Sequence, residues 1–269
     1  MRAVPRIASR ANARYREVAR LVSSSRDRRK SGRCVLEGEH LVTAFLDRVG
    51  EPEALVVNEE ALERDGVAAL VARVAPGRVL AVPAALFDAM GTLPPDIGVI
   101  AVAAAPAPAV ARPGRYCLVL EDLQDPGNLG SILRSAAAFG VDRVLLSRHC
   151  AFAWAPKVLR AGQGAHFQLA IHEDVDVVGF ARDFRATGGL LLAAVPAGGV
   201  PPASVRLAAP LAVAIGNEGA GLSAALRDQA KVAVTIPMPG RTESLNAAAA
   251  AAVLLYEAVR QGVTAAEPR

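Results

Sequence analysis

The sequence predicts an α/β protein of two domains, the second built on a parallel sheet. Three observations carry this. Strand-like and helix-like segments alternate along the 269 residues, the pattern of sheets covered by helices. Several strand-like segments after residue 115, such as Leu211–Ile215, are continuous apolar runs, and strands buried on both faces read that way. Between the halves lies Ala-Pro-Ala-Pro-Ala-Val-Ala-Arg-Pro-Gly (105–114), whose three prolines fix φ and remove donors, so it reads as an extended linker. The expected division is a first domain over 1–104, the linker over 105–114 and a second domain over 115–269.

In the first domain, residues 12–22 place Ala13, Val18, Leu21 and Val22 among arginines, which predicts a helix with a cationic face. Residues 23–32, Ser-Ser-Ser-Arg-Asp-Arg-Arg-Lys-Ser-Gly, read as a polar loop. Val35–Arg48 reads as a helix with Leu36, Leu41, Ala44 and Phe45 on one face. A strand over Ala54–Val57, a helix over Glu60–Arg73, a strand over Arg78–Val82, a helix over Ala84–Met90 and a strand over Gly98–Ala103 follow. In the second domain, strands are expected at Tyr116–Glu121, Arg143–Leu146, Leu169–Ile171, Leu190–Val195, Leu211–Ile215 and Val232–Ile236. Helices are expected at Leu129–Phe139, Ala155–Gln163, Val177–Thr187, Ser223–Gln229 and Leu245–Gln261.

Charge is distributed unevenly. Residues 1–33 hold eleven Arg or Lys against two acids, a net of +9, while the whole chain is only +4, so the remainder is −5. A basic arm on a mildly acidic body points to a polyanion such as RNA, or to a solvated tail. Its Arg-rich, acid-poor composition also resembles an organellar transit peptide. At 4% aromatics, stacking platforms for single-stranded nucleic acid are scarce. Cys34, Cys117 and Cys150 are isolated and the four histidines do not pair with them at ligand spacing, so neither a disulfide framework nor a structural zinc is expected. The most apolar segment, Ala247–Tyr256, is about half the ~20 residues a membrane span needs.

Three constellations carry chemistry. The first is Glu-Asp-Leu-Gln-Asp-Pro-Gly-Asn-Leu-Gly-Ser-Ile-Leu-Arg (121–134). It follows a strand, where α/β sites form. Asn128, read just before the helix, is a cap or a site residue. Arg134, in an otherwise apolar helix, is either a snorkelling surface residue or a fixed cation for a phosphate or reacting hydroxyl. The second is Ile-Gly-Asn-Glu-Gly-Ala-Gly-Leu-Ser (215–223), whose glycines permit close ligand approach. Its Glu218 is a solvated loop acid or a site residue, and Ser223 is expected to cap the next helix. The third is Ile-Pro-Met-Pro-Gly-Arg-Thr-Glu-Ser-Leu-Asn (236–246). Here Ser244 is expected as the cap, which would leave Asn246 in the first turn, unfavourable unless its amide has a partner. Two glycine-rich loops after strands expose backbone groups that can hold a flat heterocycle and a charged tail. No GxxxxGK[ST] loop, GxSxG elbow or GxGxxG after the first strand of that domain is present, which argues against the usual nucleoside-triphosphate, hydrolase and dinucleotide sites.

Together these blocks resemble the SpoU (TrmH-like) branch of the SPOUT RNA methyltransferases: Asn128 to Arg134 as its first motif, Gly216 to Ser223 as its second, and Ile236 to Met238 through Ser244 to Asn246 as its third. The segment Lys157–Phe167 also resembles a family segment. Val35-Leu-Glu-Gly-Glu-His-Leu-Val is similar to the ribosomal-protein-like substrate-binding domain of many ribosomal RNA members, as is Ile7-Ala-Ser-Arg-Ala-Asn12, which argues against a cleaved transit peptide. The resemblance implies a deep trefoil knot in the second domain, a homodimer formed around it, and a cytoplasmic enzyme without metal. It implies S-adenosylmethionine-dependent methylation of a ribose 2′-OH, in ribosomal RNA first and transfer RNA second. The implied catalytic residues are Asn128, Arg134, Glu218, Ser244 and Asn246. The implied cofactor-binding residues are Val195, Ile215, Gly216, Asn217, Gly219, Ile236, Met238, Ser244, Leu245 and Asn246. Two rivals are a non-catalytic RNA-binding ribosome assembly factor, against which the intact motif residues speak, and a knotted methyltransferase acting on a base nitrogen, which would need no Arg at a ribose hydroxyl.

Overall fold

The computed structural model describes residues 4–91, 97–108 and 114–264. The chain divides into two compact units, 1–106 with 154–167, and 107–153 with 168–269.

The first unit opens with α1 (Ala13–Ser23), capped by Asn12, whose side chain accepts from the Arg14 and Tyr15 amides. Tyr15, Val18 and Leu21 face inward and the arginines outward. The expected loop at 23–32 is instead a second helix, α2 (Ser25–Ser31). Ser24 caps it, Asp27 sits in its first turn, Arg28, Arg29 and Lys30 in its last, and Gly32 closes it at φ +63°. Those charges complement the helix dipole, and the apolar periodicity one would look for is absent because the helix is held by Arg28. That side chain is buried and donates through Nη1 to the carbonyls of Leu21 (2.5 Å) and Val22 (2.9 Å) at the end of α1.

The expected helix over Val35–Arg48 is a strand followed by a helix: β1 (Arg33–Glu37) and α3 (Glu39–Arg48), divided at Gly38, φ +89°. Long-range pairing decides this, since β1 runs antiparallel to β4 (Val99–Ala104) along its whole length. β2 (Ala54–Asn58) is as expected; the helix over Glu60–Arg73 is a single 3₁₀ turn at Glu59–Ala61 and then α4 (Asp65–Arg73). β3 (Val79–Val82) and α5 (Ala84–Asp88) follow. The sheet order is β1-β4-β2-β3. Residues 5–7 pair along the outer edge of β3, with Ile7 N to Ala81 O and Ala81 N to Pro5 O both at 2.9 Å, which covers an edge that would otherwise be open. The basic segment is thus built into the unit: Ile7, Tyr15, Val18 and Leu21 share a core with Val35, Val56, Leu80 and Ile100. Of the expected linker, residues 109–113 lie outside the described residues; 105–108 have no regular structure.

The second unit holds β5 (Tyr116–Leu120), α6 (Pro126–Ala138), β6 (Arg143–Leu146), β7 (Ala170–His172), α8 (Val177–Ala186), β8 (Leu190–Ala194), β9 (Leu211–Ile215), α9 (Ala224–Gln229), β10 (Val232–Val234) and α10 (Ala247–Arg260). All six strands are parallel, in the order β10-β8-β9-β5-β6-β7. The central strands β5 and β9 are buried at every position, as continuous apolar runs require. The sheet order turns back between them, so their carboxyl ends flank the crevice where α/β sheets place ligands. On one face, α10 packs against α6, with Ala251, Leu254, Leu255 and Ala258 buried and the Tyr116 hydroxyl donating to Leu255 O at 3.1 Å. Between β6 and β7, α7 (Pro156–Gly162) lies in the segment that groups with the first unit. There Arg160 pairs with the buried Glu37 carboxylate, and Phe167 stacks edge-on against Phe45 at 5.4 Å.

Candidate active site

Three chain segments converge beyond the carboxyl ends of β8, β9 and β10. They enclose a cavity of about 600 Å³ lined by Asn128, residues 194–196, 215–219, Gly221, Val234, Ile236, Met238, residues 243–247, Ala250 and Leu254. That volume lies within the roughly 300–1,000 Å³ usual for ligand sites.

The loop after β9 is shaped by its own residues. Asn217 and Gly221 exchange backbone hydrogen bonds of 3.1 and 2.9 Å. The Asn217 side chain accepts from the Gly219 and Ala220 amides and donates to Asp122 O at 2.8 Å. A Cβ at Gly216 would run into the backbone of Gly221 and Leu222, so this turn closes only over glycine. At the far end, Ser223 caps α9 as expected. Its amide and hydroxyl both donate to the Glu121 carboxylate at 2.7 Å. Glu121 opens the first constellation, where its sequence context assigned it no role. An acid closing a buried apolar strand was the available signal.

A polar chain then links the loops that follow β5, β9 and β10. The Glu218 carboxylate accepts from the Gln124 amide (3.3 Å), the Asp125 amide (3.1 Å) and Asn128 Nδ2 (3.1 Å). Asn128 Oδ1 accepts from Asn246 Nδ2 at 2.8 Å. Asn246 Oδ1 accepts from the Ala248 and Ala249 amides. Each amide orientation is set by its neighbour, because every oxygen in the chain meets a donor. Partial burial pushes the Glu218 carboxyl up, but the hydrogen bonds from Asn128 and the backbone more than offset this and hold it below its ordinary value.

Several local expectations change. Asn128 lies within the first turn of α6, and the cap is Asp125, whose side chain accepts from Asn128 N at 2.7 Å. Asn246, not Ser244, caps α10. That removes the mid-turn problem foreseen for its amide. Arg134 is exposed on α6 and does not line the cavity. It lies six residues past Asn128, which puts the two side chains roughly 120° apart around the helix. The structure thus gathers Asn128, Val195, Ile215, Gly216, Asn217, Glu218, Gly219, Ile236, Met238, Ser244, Leu245 and Asn246 around one cavity and leaves Arg134 outside it. Glu243 also lines it and was not singled out from the sequence.

The donor set suits a nucleoside-like cofactor. Walls of Val195, Ile215, Ile236, Met238 and Leu254 are apolar, the loop backbone is close at hand, and a Cβ at Gly221 would meet open space. The three thiols offer no nucleophile: burial pushes Cys34 and Cys117 up to about 12 and also raises Cys150. Among the described residues no His, Cys, Asp or Glu cluster could hold a metal ion, and no helix is long and apolar enough to cross a membrane.

Comparison with known proteins places this arrangement. Residues 115–256 match the model of the SpoU rRNA Methylase family. The chain is 30% identical over 233 residues to the 23S rRNA (guanosine(2553)-2′-O)-methyltransferase RlmP of Bacillus subtilis (strain 168), spanning 87% of this chain and 91% of that protein. It is 33% identical over 274 residues to the 23S rRNA (uridine(2479)-2′-O)-methyltransferase of Streptomyces viridochromogenes, spanning 97% and 94%. Among solved structures it is similar to the SpoU methyltransferase AviRb of Streptomyces viridochromogenes in complex with the cofactor AdoMet. The TM-score is 0.80 at 28% identity, over 93% of this chain and 98% of that one.

Proposed function

The chain belongs to the SpoU rRNA methylase family, and from that membership and the site we propose that it methylates a ribose 2′-hydroxyl of RNA, ribosomal RNA foremost, using S-adenosylmethionine. The observation that carries the reading is the Glu218–Asn128–Asn246 chain, which ties the three motifs together at the mouth of a cofactor-sized cavity.

Bound S-adenosylmethionine supplies a methyl group activated on a sulfonium, so the protein's task is position and electrostatics. The residues that would hold it are Val195, Ile215, Gly216, Asn217, Gly219, Ile236, Met238, Ser244, Leu245 and Asn246. Glu218 stays ionised and fixes Asn128, which in turn fixes Asn246 and the start of α10. Ser244 and Asn246 orient the incoming ribose. Arg134 stabilises the developing oxyanion and grips the adjacent phosphate. A guanidinium has no lone pair for a proton, so the hydroxyl proton passes to a phosphate oxygen of the RNA.

We further propose that the second unit carries the family's deep trefoil knot, formed by the loops that line the cavity, and that the enzyme is a cytoplasmic homodimer. Supporting the dimer, Val253, Tyr256 and Val259 lie exposed along one flank of α10, with Leu245 just before it. Arg134 is exposed outside its own chain's cavity, and a site completed by two copies would account for that. The domain division at 1–104, 105–114 and 115–269 assigns RNA docking to the first domain. Exposed Arg10, Arg16, Arg20, Arg26 and Lys30 support that role.

The test is transfer of labelled methyl from S-adenosylmethionine to unmodified ribosomal and transfer RNA, followed by nucleoside analysis. A labelled 2′-O-methyl nucleoside in ribosomal RNA is expected. Label on a base overturns the reaction, and label confined to transfer RNA overturns the substrate.

A further inference from the structure

Two carboxylates line the cavity, and they differ in one respect. The Glu218 carboxylate is ionised and hydrogen-bonded by two backbone amides and the Asn128 amide. Glu243 is exposed on the loop before α10. Among the described residues no hydrogen bond or ion pair engages its side chain. An uncompensated negative charge at the wall of a half-enclosed cavity acts on whatever binds there. It stands one residue before Ser244 and three before Asn246, which bonds to Asn128. Glu243 therefore lines the cavity beside Ser244 and Asn246, the residues assigned above to the incoming ribose.

We propose that Glu243 is a specificity residue that tells the charged cofactor from the spent one: its carboxylate attracts the sulfonium of S-adenosylmethionine and gains nothing from the neutral thioether of S-adenosylhomocysteine. The inference rests on the cofactor reading above. Methyl transfer forms the O–C bond and breaks the S–C bond, the S–C electron pair stays on sulfur, and the hydroxyl proton leaves to an RNA phosphate oxygen. The ligand thereby loses its charge at the sulfur while Glu243 keeps its own. Chemistry itself then removes an attraction and favours product release. Glu218 differs in that its oxygens are held by three donors of the loop framework, whereas those of Glu243 are free to meet a ligand.

The test is calorimetric binding of S-adenosylmethionine, S-adenosylhomocysteine and sinefungin to the full-length protein, which bears a cationic amine in place of the sulfonium in the last case. Glu243→Gln should weaken S-adenosylmethionine and sinefungin roughly ten-fold, the order of one charge pair near a protein surface. S-adenosylhomocysteine should move by less than about two-fold. Glu243→Lys should weaken S-adenosylmethionine and sinefungin further and reverse the preference over S-adenosylhomocysteine, and added salt should narrow the preference in the unmodified protein while leaving Glu243→Gln unchanged. An equal loss for all three ligands would put the carboxylate at a group they share and overturn the inference, as would no change for any. Failure of the unmodified protein to bind any of the three would instead sink the cofactor reading. An unchanged melting temperature in Glu243→Gln is the folding control, since the side chain is exposed and supports no packing.

Discussion

Arg134 and Glu218 are both loop-or-helix charges whose roles depend on what surrounds them. Arg134 is exposed and outside the cavity, so its removal should leave the cofactor's seat intact. Arg134→Ala is expected to cut turnover by at least about 100-fold, the usual size for loss of an oxyanion-stabilising donor. Cofactor affinity measured by calorimetry should stay within about two-fold. Glu218 is held ionised by donors that have no other partner in the chain of bonds, so its carboxyl lies below the ordinary value. A depressed carboxyl contributes stability above the unfolded value, near about 4.3, and loses it as pH falls through the lower folded value. Cofactor binding in the unmodified protein should therefore be flat from pH 7 down to about pH 5. Glu218→Gln replaces an acceptor by an amide facing Asn128 Nδ2 and two N–H groups, so it should weaken binding across that whole range. A fall in the unmodified protein's binding already near pH 6 would contradict the assignment.

At the level of elements, the glycine loop after β9 is the most constrained piece. It is closed by the Asn217–Gly221 pair, anchored by Asn217 to Asp122 and tied off by Ser223 on Glu121. Gly216 packs so closely on the Gly221–Leu222 backbone that an added methyl must push the loop open. Gly216→Ala is expected to keep the circular dichroism of the folded protein while costing about 1–3 kcal/mol of stability, as overpacking does, and at least about ten-fold in cofactor affinity. Retained affinity would show that the loop closes over cofactor in another way. The same scale explains α2. A helix without an apolar stripe is stable because Arg28 caps the end of α1, an arrangement that hydropathy alone cannot report.

For the whole molecule, the basic segment and the α10 flank set the predictions. Deleting residues 1–33 would remove Tyr15, Val18, Leu21 and the edge pairing at Ile7, so charge reversal is the cleaner probe. Replacing Arg16, Arg20, Arg26 and Lys30 by Glu leaves that core untouched. RNA affinity should fall and its salt dependence should flatten, by roughly one unit of slope per lost phosphate contact. Calorimetric binding of the small cofactor should be unaffected. Tyr256 is 55% exposed beside Phe139, the C-cap of α6. If the proposed dimer forms through this flank, Tyr256→Asp places a charge in a symmetric apolar contact, and sedimentation should show dimers for the unmodified protein and monomers for the variant. Dimers persisting in the variant would move the interface elsewhere.

The alternation of strand and helix was legible from sequence because several strands of the second unit are local apolar runs, Tyr116–Leu120 and Leu211–Ile215 most plainly. The motif residues were legible because polar residues between glycines have no packing role. What sequence could not assign was pairing over distance. Val35 and Leu36 fit a helical face or a strand equally well, and only β4, more than sixty residues on, made them a strand. Caps were misassigned for a related reason. Ser244 and Asn246 are both competent caps, and Asn246 was chosen because its other amide atom reaches Asn128, 118 residues away. Residue type and local period therefore determined which elements and which chemical groups this protein has. Tertiary structure alone decided which groups share a cavity, leaving Arg134 outside it, placing Glu243 at its wall and tying Glu121 to Ser223, because hydrogen bonds and burial between remote segments leave no local trace in the chain.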